Sequence, residues 1–252
     1  MNMNIRIVDA SHGWRWIAAG MSIFRKNPAQ WLLLIAVLFI GSRILYAIPV
    51  LGILALLVVP NFLAGLWHGA QALEQGKPLR IGYLASGFLK NAAQLITIGG
   101  VSLVGKFVAL AAVMLVGGDV INAVSKTVEA DAVTSETIEA MRAARPNMML
   151  ALLVGLGVSL PFVMAAWFAP LLVFFDDVKP LPALVLSLYA CLKNILPFLI
   201  YGMAVLVPLV ILMPLGLAAR QPDLGLWLLA PILVPSVYAG YKDLFVRAPA
   251  TQ

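Results

Sequence analysis

The sequence predicts an all-α polytopic transmembrane bundle of about six spans, and three observations carry that expectation. Of the 252 residues, 62% are hydrophobic and only 11% charged, whereas a soluble domain is about half apolar and about a quarter charged. Apolar residues gather into six runs close to the roughly 20 residues with which a helix crosses about 30 Å of hydrocarbon. Within each run the apolar character is continuous and does not alternate with period two, which argues against a lipid-facing β-barrel.

The runs are Pro28 to Ala47, Pro49 to Ala72, Ala92 to Gly117, Asn147 to Phe175, Ile195 to Ala219 and Leu224 to Tyr241. The first follows an amphipathic stretch and ends in Ser42-Arg43-Ile44-Leu45-Tyr46, without a small-x-small cleavage pattern. The N-terminus is therefore expected to be retained. All 11 acidic residues lie outside or at the edges of the runs.

Basic residues set the expected orientation. Arg6, Arg15, Arg25, Lys26, Lys77, Arg80, Lys90, Lys179, Lys193, Lys242 and Arg247 fall on one side, against Arg43, Lys126, Arg142, Arg145 and Arg220 on the other. The positive-inside rule then puts both termini in the cytoplasm. The long connection Gly118 to Pro146 faces the periplasm, with a short helix expected over Ser135 to Ala144. Glu136 and Glu139 would stand at the positive end of its dipole and Arg142 and Arg145 at the negative end. The net charge of +6 is thus assigned to headgroup anchoring and topology, with no nucleic-acid partner.

Self-similarity points to three hairpins within a single membrane domain, 1–252. Lys77-Pro78-Leu79 with Leu89-Lys90-Asn91 recurs as Lys179-Pro180-Leu181 with Leu192-Lys193-Asn194, and a diverged copy is Arg25-Lys26-Asn27. The repeats run 1–72, 73–175 (with the periplasmic loop 118–146) and 176–252. Before each Lys-Asn, apolar residues recur at helical spacing: Trp14, Ile17, Met21 and Phe24, then Ile81, Leu84 and Phe88, then Leu181, Leu184, Leu188 and Cys191. Each set reads as an interfacial amphipathic helix, or else as the first turns of a long span.

The pattern of Ser11-His12-Gly13-Trp14-Arg15-Trp16, Phe24-Arg25-Lys26-Asn27-Pro28-Ala29-Gln30-Trp31, Lys193-Asn194-Ile195-Leu196-Pro197-Phe198 and Tyr201-Gly202 resembles a proteobacterial family of six-span inner-membrane proteins of unknown function. More distantly, the repeated layout is similar to the membrane domain attached to some glycerophosphodiester phosphodiesterases. The resemblance implies a location and a fold but no reaction, since the catalytic domain has no counterpart here.

Enzyme chemistry is not expected. Ser159 in Gly157-Val158-Ser159-Leu160-Pro161 lacks the second glycine of a nucleophile elbow. His12 and His68 lie far apart, and a single Cys191 cannot build a zinc site with them by local spacing. Asp176-Asp177 reads as the solvated end of a span in preference to a divalent-metal site. No metal and no cofactor are expected. The lack of an acidic residue within a span also disfavours a proton relay.

Two basic residues stand out. Arg43 follows Asn27 by 16 residues and Lys106 follows Asn91 by 15, which places both roughly 22 to 24 Å along their helices. They form a candidate anion or lipid-phosphate site in the outer half of the bilayer, or they snorkel to outer headgroups, Arg43 capping a short first span. Trp14, Trp16, Arg25, Lys26, Trp31, Lys90 and Lys193 are assigned as interfacial anchors. Prolines at 161, 170, 197, 208, 214, 231 and 235 leave backbone carbonyls that neighbouring helices must satisfy. The functional expectation is a non-catalytic multi-pass protein that interacts with lipid, or with a membrane-protein partner or second copy. The alternative is a small transporter or channel for an anionic or amphipathic solute.

Overall fold

A computed structural model describes residues 3–129 and 135–247. Its elements are β1 (Met3–Ile5), α1 (His12–Lys26), α2 (Pro28–Tyr46), α3 (Pro49–Glu74), a 3-10 turn (Ile81–Ala85) leading into α4 (Ser86–Leu89), α5 (Ala92–Glu129), α6 (Ser135–Asp176), α7 (Pro180–Lys193), α8 (Ile195–Ala218), α9 (Leu224–Leu244) and β2 (Phe245–Arg247). Among the described residues, six stretches are long and apolar enough to cross a membrane: Pro28–Tyr46, Val50–Glu74, Ala92–Gly118, Met149–Asp176, Ile195–Ala218 and Leu224–Leu244. The predicted runs agree with them to within a few residues.

Helix ends follow local chemistry. The Asn27 side chain accepts a hydrogen bond from the Gln30 amide at 3.3 Å, and Pro28 follows at the first helical position, where its missing N–H costs nothing. At the end of α3, Gly76 turns left-handed (φ 76°). The Lys77 and Gly76 amides then reach back to the Ala72 and Leu73 carbonyls at 2.9 and 3.2 Å, closing a Schellman motif. Arg220 does the same after α8 with φ 53°, its own amide and that of Gln221 bonding Leu217 and Gly216.

The long connection differs from expectation. Helix α5 runs on to Glu129, with Gly117 the one non-helical residue inside it. The stretch predicted as a short helix from Ser135 is the start of the 42-residue α6. Alanine, glutamate and arginine over 135–145 are good helix formers, so the helix extends beyond its apolar stretch and loss of apolarity does not mark its end. Residues 130–134 of the predicted loop lie outside the described residues.

The chain divides into two compact units, Met1–Gly99 with Ala165–Gln252, and Gly100–Met164. The second unit lies within the second predicted repeat, 73–175, and the first and third repeats lie within the first unit. In the first unit the core is Trp31, Leu34, Leu66, Leu95, Ile98, Phe168, Leu171, Leu172, Val173 and Leu244, all fully buried. Helix α1 packs on α8 and α9 through Gly13, Trp16, Gly20 and Ile23. A Cβ on Gly13 would meet the Pro197 carbonyl oxygen at 2.1 Å, and one on Gly20 the Ile232 carbonyl oxygen at 2.5 Å. The packed stripe is therefore one residue away from the expected Trp14, Ile17, Met21 and Phe24, because glycines that admit a neighbouring backbone carry no apolar signal.

Strands β1 and β2 pair antiparallel, Met3 opposite Arg247 and Ile5 opposite Phe245, so the two described chain ends lie on the same side. Polar contacts gather at that end of the unit. Asn194 is buried; its Oδ1 accepts from the Val8 amide at 2.9 Å while its Nδ2 donates to the Arg6 and Ala190 carbonyls. Asn91 donates to the Val173 carbonyl and to Asp177, both at 2.8 Å. Lys242 bonds Glu74 at 2.6 Å. In the second unit Gly105 lies against Phe162 and Gly155 against Val113, where the absence of side chains lets two helices approach closely.

Candidate functional site

Helices α2, α3 and α9 of the first unit leave a crevice of about 380 Å³ between them. Leu38, Gly41 and Leu45 line it from α2, Ala55, Val58 and Phe62 from α3, and Trp227, Ala230 and Val234 from α9. The lining is almost wholly hydrocarbon and aromatic. Gly41 is part of this wall, and a Cβ built on it would meet nothing within 4 Å. Absence of a side chain there contributes directly to the open space.

A polar cluster borders the crevice. Arg43 stands in the last turn of α2, where a cation also favours the helix dipole. Its Nη1 donates to Gln221 Oε1 at 2.6 Å and its Nη2 to Asp223 Oδ2. The guanidinium carbon lies 5.1 Å from the centre of the Phe39 ring and 5.7 Å from that of Tyr46. Trp227, which lines the crevice, donates its Nε1–H to the same Asp223 oxygen at 2.9 Å. Partial burial works against the Asp223 charge, but the Trp227 and Arg43 hydrogen bonds and the Arg43 charge outweigh it and hold the carboxyl below the usual carboxylate range. Tyr46 and Trp227 join the cluster to the apolar wall, since each touches both.

The two residues of the predicted anion site belong to different units. Arg43 lies at a helix end beside an acid 180 residues away, so its charge is compensated and it is not isolated at depth. Lys106 belongs to the second unit and is exposed on α5. Among the predicted anchors, Trp14 is exposed, but Trp16 and Trp31 are buried. Trp16 donates to Asp243 at 2.9 Å from inside the α1 interface, and Trp31 is sealed in the core, so neither reaches headgroups. Arg25 is exposed. Lys26 donates to the Leu73 carbonyl at 3.2 Å, Lys90 pairs with Asp177 at 3.2 Å, and Lys193 sits 5.1 Å from the Tyr189 ring centre.

Other groups of possible chemical interest are tied into structure. Asp243 accepts from Arg6 at 3.1 Å and bonds His12 Nδ1 at 2.6 Å. Arg15 lies 3.2 Å from His12 Nε2; since arginine only donates, that nitrogen is the acceptor and the proton is on Nδ1. Ser86 Oγ lies 2.9 Å from His68 Nδ1, yet the ring is packed edge-on to Tyr83 and no carboxylate among the described residues bonds it. Asp176 is buried and receives the Tyr241 hydroxyl, contrary to the expected solvated pair. Asp177 turns outward, where hydrogen bonds from Asn91 and Lys90 lower its pKa. No group of three or more metal-ligating side chains occurs among the described residues.

This chain is similar to a probable inner membrane protein of Burkholderia thailandensis, 27% identical over 260 residues that cover 96% of this chain and 94% of the relative. No known family profile matches it, and no solved structure matches it. The chain is thus a multi-pass membrane protein by its six apolar helices, with a relative named for the inner membrane.

Proposed function

We propose that this is a non-catalytic, multi-pass inner-membrane protein, both termini cytoplasmic, that binds membrane lipid by admitting an acyl chain into the crevice between α2, α3 and α9. The observation that carries the reading is the match of an apolar space of about 380 Å³, within the common range of ligand pockets, to a charged cluster at its border. A polar solute would leave its hydrogen-bonding groups unsatisfied against that wall, while a hydrocarbon chain would not. The cytoplasmic assignment rests on the eleven basic residues of one side and on the pairing of β1 with β2. The distant likeness to the phosphodiesterase membrane domain concerns layout alone and brings no reaction.

Native mass spectrometry of protein released directly from its membrane tests the proposal. One phospholipid retained by the wild type and lost from Gly41→Phe is the expected result. A protein partner retained at fixed stoichiometry with no lipid would make the chain an accessory subunit instead. Solute flux into vesicles that depends on Arg43 would favour the transporter alternative.

A further inference from the structure

Building on that reading, we infer that the lipid in the crevice carries a headgroup with both a phosphate and a primary ammonium, the phosphate meeting Arg43 and the ammonium meeting Asp223. Arg43 and Asp223 side chains are bonded to one another yet remain 30% and 36% exposed, so each keeps a face for a ligand. The guanidinium has five N–H donors, of which two are used on Gln221 and Asp223; its Nε–H is buried with no acceptor among the described residues, so the second hydrogens of Nη1 and Nη2 are the ones that face a ligand. Donor capacity is left for a phosphate oxygen, the acceptor that a guanidinium fork matches best.

Asp223 decides the class of headgroup. Its charge is retained through the Trp227 and Arg43 hydrogen bonds; a glycerol headgroup can donate hydroxyl hydrogen bonds to that carboxylate but brings it no positive charge, and a headgroup with a further negative group is repelled by it. A primary ammonium supplies three donors to that carboxylate and completes an alternating array of four charges. A quaternary ammonium supplies none and is bound instead by aromatic faces. Arg43 already occupies one face each of Phe39 and Tyr46, and its positive charge there opposes a second cation. The rim therefore favours the ethanolamine type over both the choline and the glycerol types.

The test uses the full chain in bilayers containing equal amounts of phosphatidylethanolamine, phosphatidylglycerol and phosphatidylcholine of one acyl composition, with the lipid adduct read by native mass spectrometry. An ethanolamine adduct in roughly tenfold excess is expected, the scale of one additional charge-assisted hydrogen bond. Asp223→Asn should keep an adduct but lose the preference, Asp223→Glu should restore it, and Arg43→Gln should lower all three adducts. A thermal melt of each variant separates lost recognition from lost folding. Equal adducts of all three lipids in the wild type, or an unchanged preference in Asp223→Asn, would overturn the headgroup assignment while leaving the crevice reading intact. An adduct that survives Gly41→Phe would overturn the crevice reading itself.

Discussion

Filling the crevice from its own wall should remove the lipid without harming the fold. Gly41 lies inside α2, where, apart from its chain neighbours and the helix's own backbone, no atom stands within 4 Å of the position of a Cβ. Phenylalanine is a better helix residue than glycine by roughly 0.3–0.5 kcal/mol, so the backbone term favours Gly41→Phe. The familiar gain from burying an aromatic ring does not apply in full, because the competing environment is lipid and not water, and only packing distinguishes the two. Overpacking a tight core would cost about 1–3 kcal/mol, but that penalty requires neighbours at the site, and the crevice supplies space. The expected outcome is a stability equal to wild type or higher by a few tenths of a kcal/mol, together with loss of the lipid adduct. Thermal unfolding followed by circular dichroism in mild detergent, beside lipid counting by native mass spectrometry, reads both quantities. A variant that loses the lipid only because it unfolds would refute the argument that the space is open, and a stable variant that keeps its lipid would refute the assignment of the space.

Further outcomes follow from the same geometry. Asn194→Ala strands the Val8 amide and frees two carbonyl partners, so it should cost about 2–3 kcal/mol and expose the N-terminal strand to early hydrogen exchange. The single Cys191 is buried, and burial, only partly offset by a Ser187 hydrogen bond, pushes its thiol up to about 12. A maleimide at pH 8 should therefore label it only in unfolded protein; rapid labelling of the native state would contradict the packing of α7. Asp177 and Asp223 have lowered pKa values, so the stability they contribute is present above the unfolded carboxylate value of about 3.9 and is lost as pH falls through the folded values. The melting midpoint should hold from neutral pH to about 5 and fall below about 4, less steeply in the Asp177→Asn, Asp223→Asn double variant.

The six spans were legible because continuous apolarity over about 20 residues leaves a helix few alternatives in lipid. The Lys-Asn blocks were legible as breaks, and the structure gives Asn27, Asn91 and Asn194 distinct roles there: an N-cap, a bond to the end of α6 and a buried clamp on the N-terminal strand. Features that depend on distant parts of the chain were not legible. Trp16 and Trp31 have the composition of anchors, and only the placement of α1 on α8 and α9 and the depth of the core turn them inward. Arg43 reads as an isolated charge until the turn before α9 brings Gln221 and Asp223 beside it. No local spacing announces a pair separated by 180 residues. The crevice itself had one visible trace, a glycine within a span, and glycines are too common in membrane helices to single it out.

The most direct measurement is photo-crosslinking with a phosphatidylethanolamine that carries a diazirine midway along one acyl chain, followed by mapping of the labelled peptides. Labels concentrated on crevice residues such as Leu38, Val58 and Ala230, and absent from Gly41→Phe, are the predicted result. Labels spread evenly over outward-facing residues such as Leu206 and Ile211, with the crevice residues unmarked, would contradict the account.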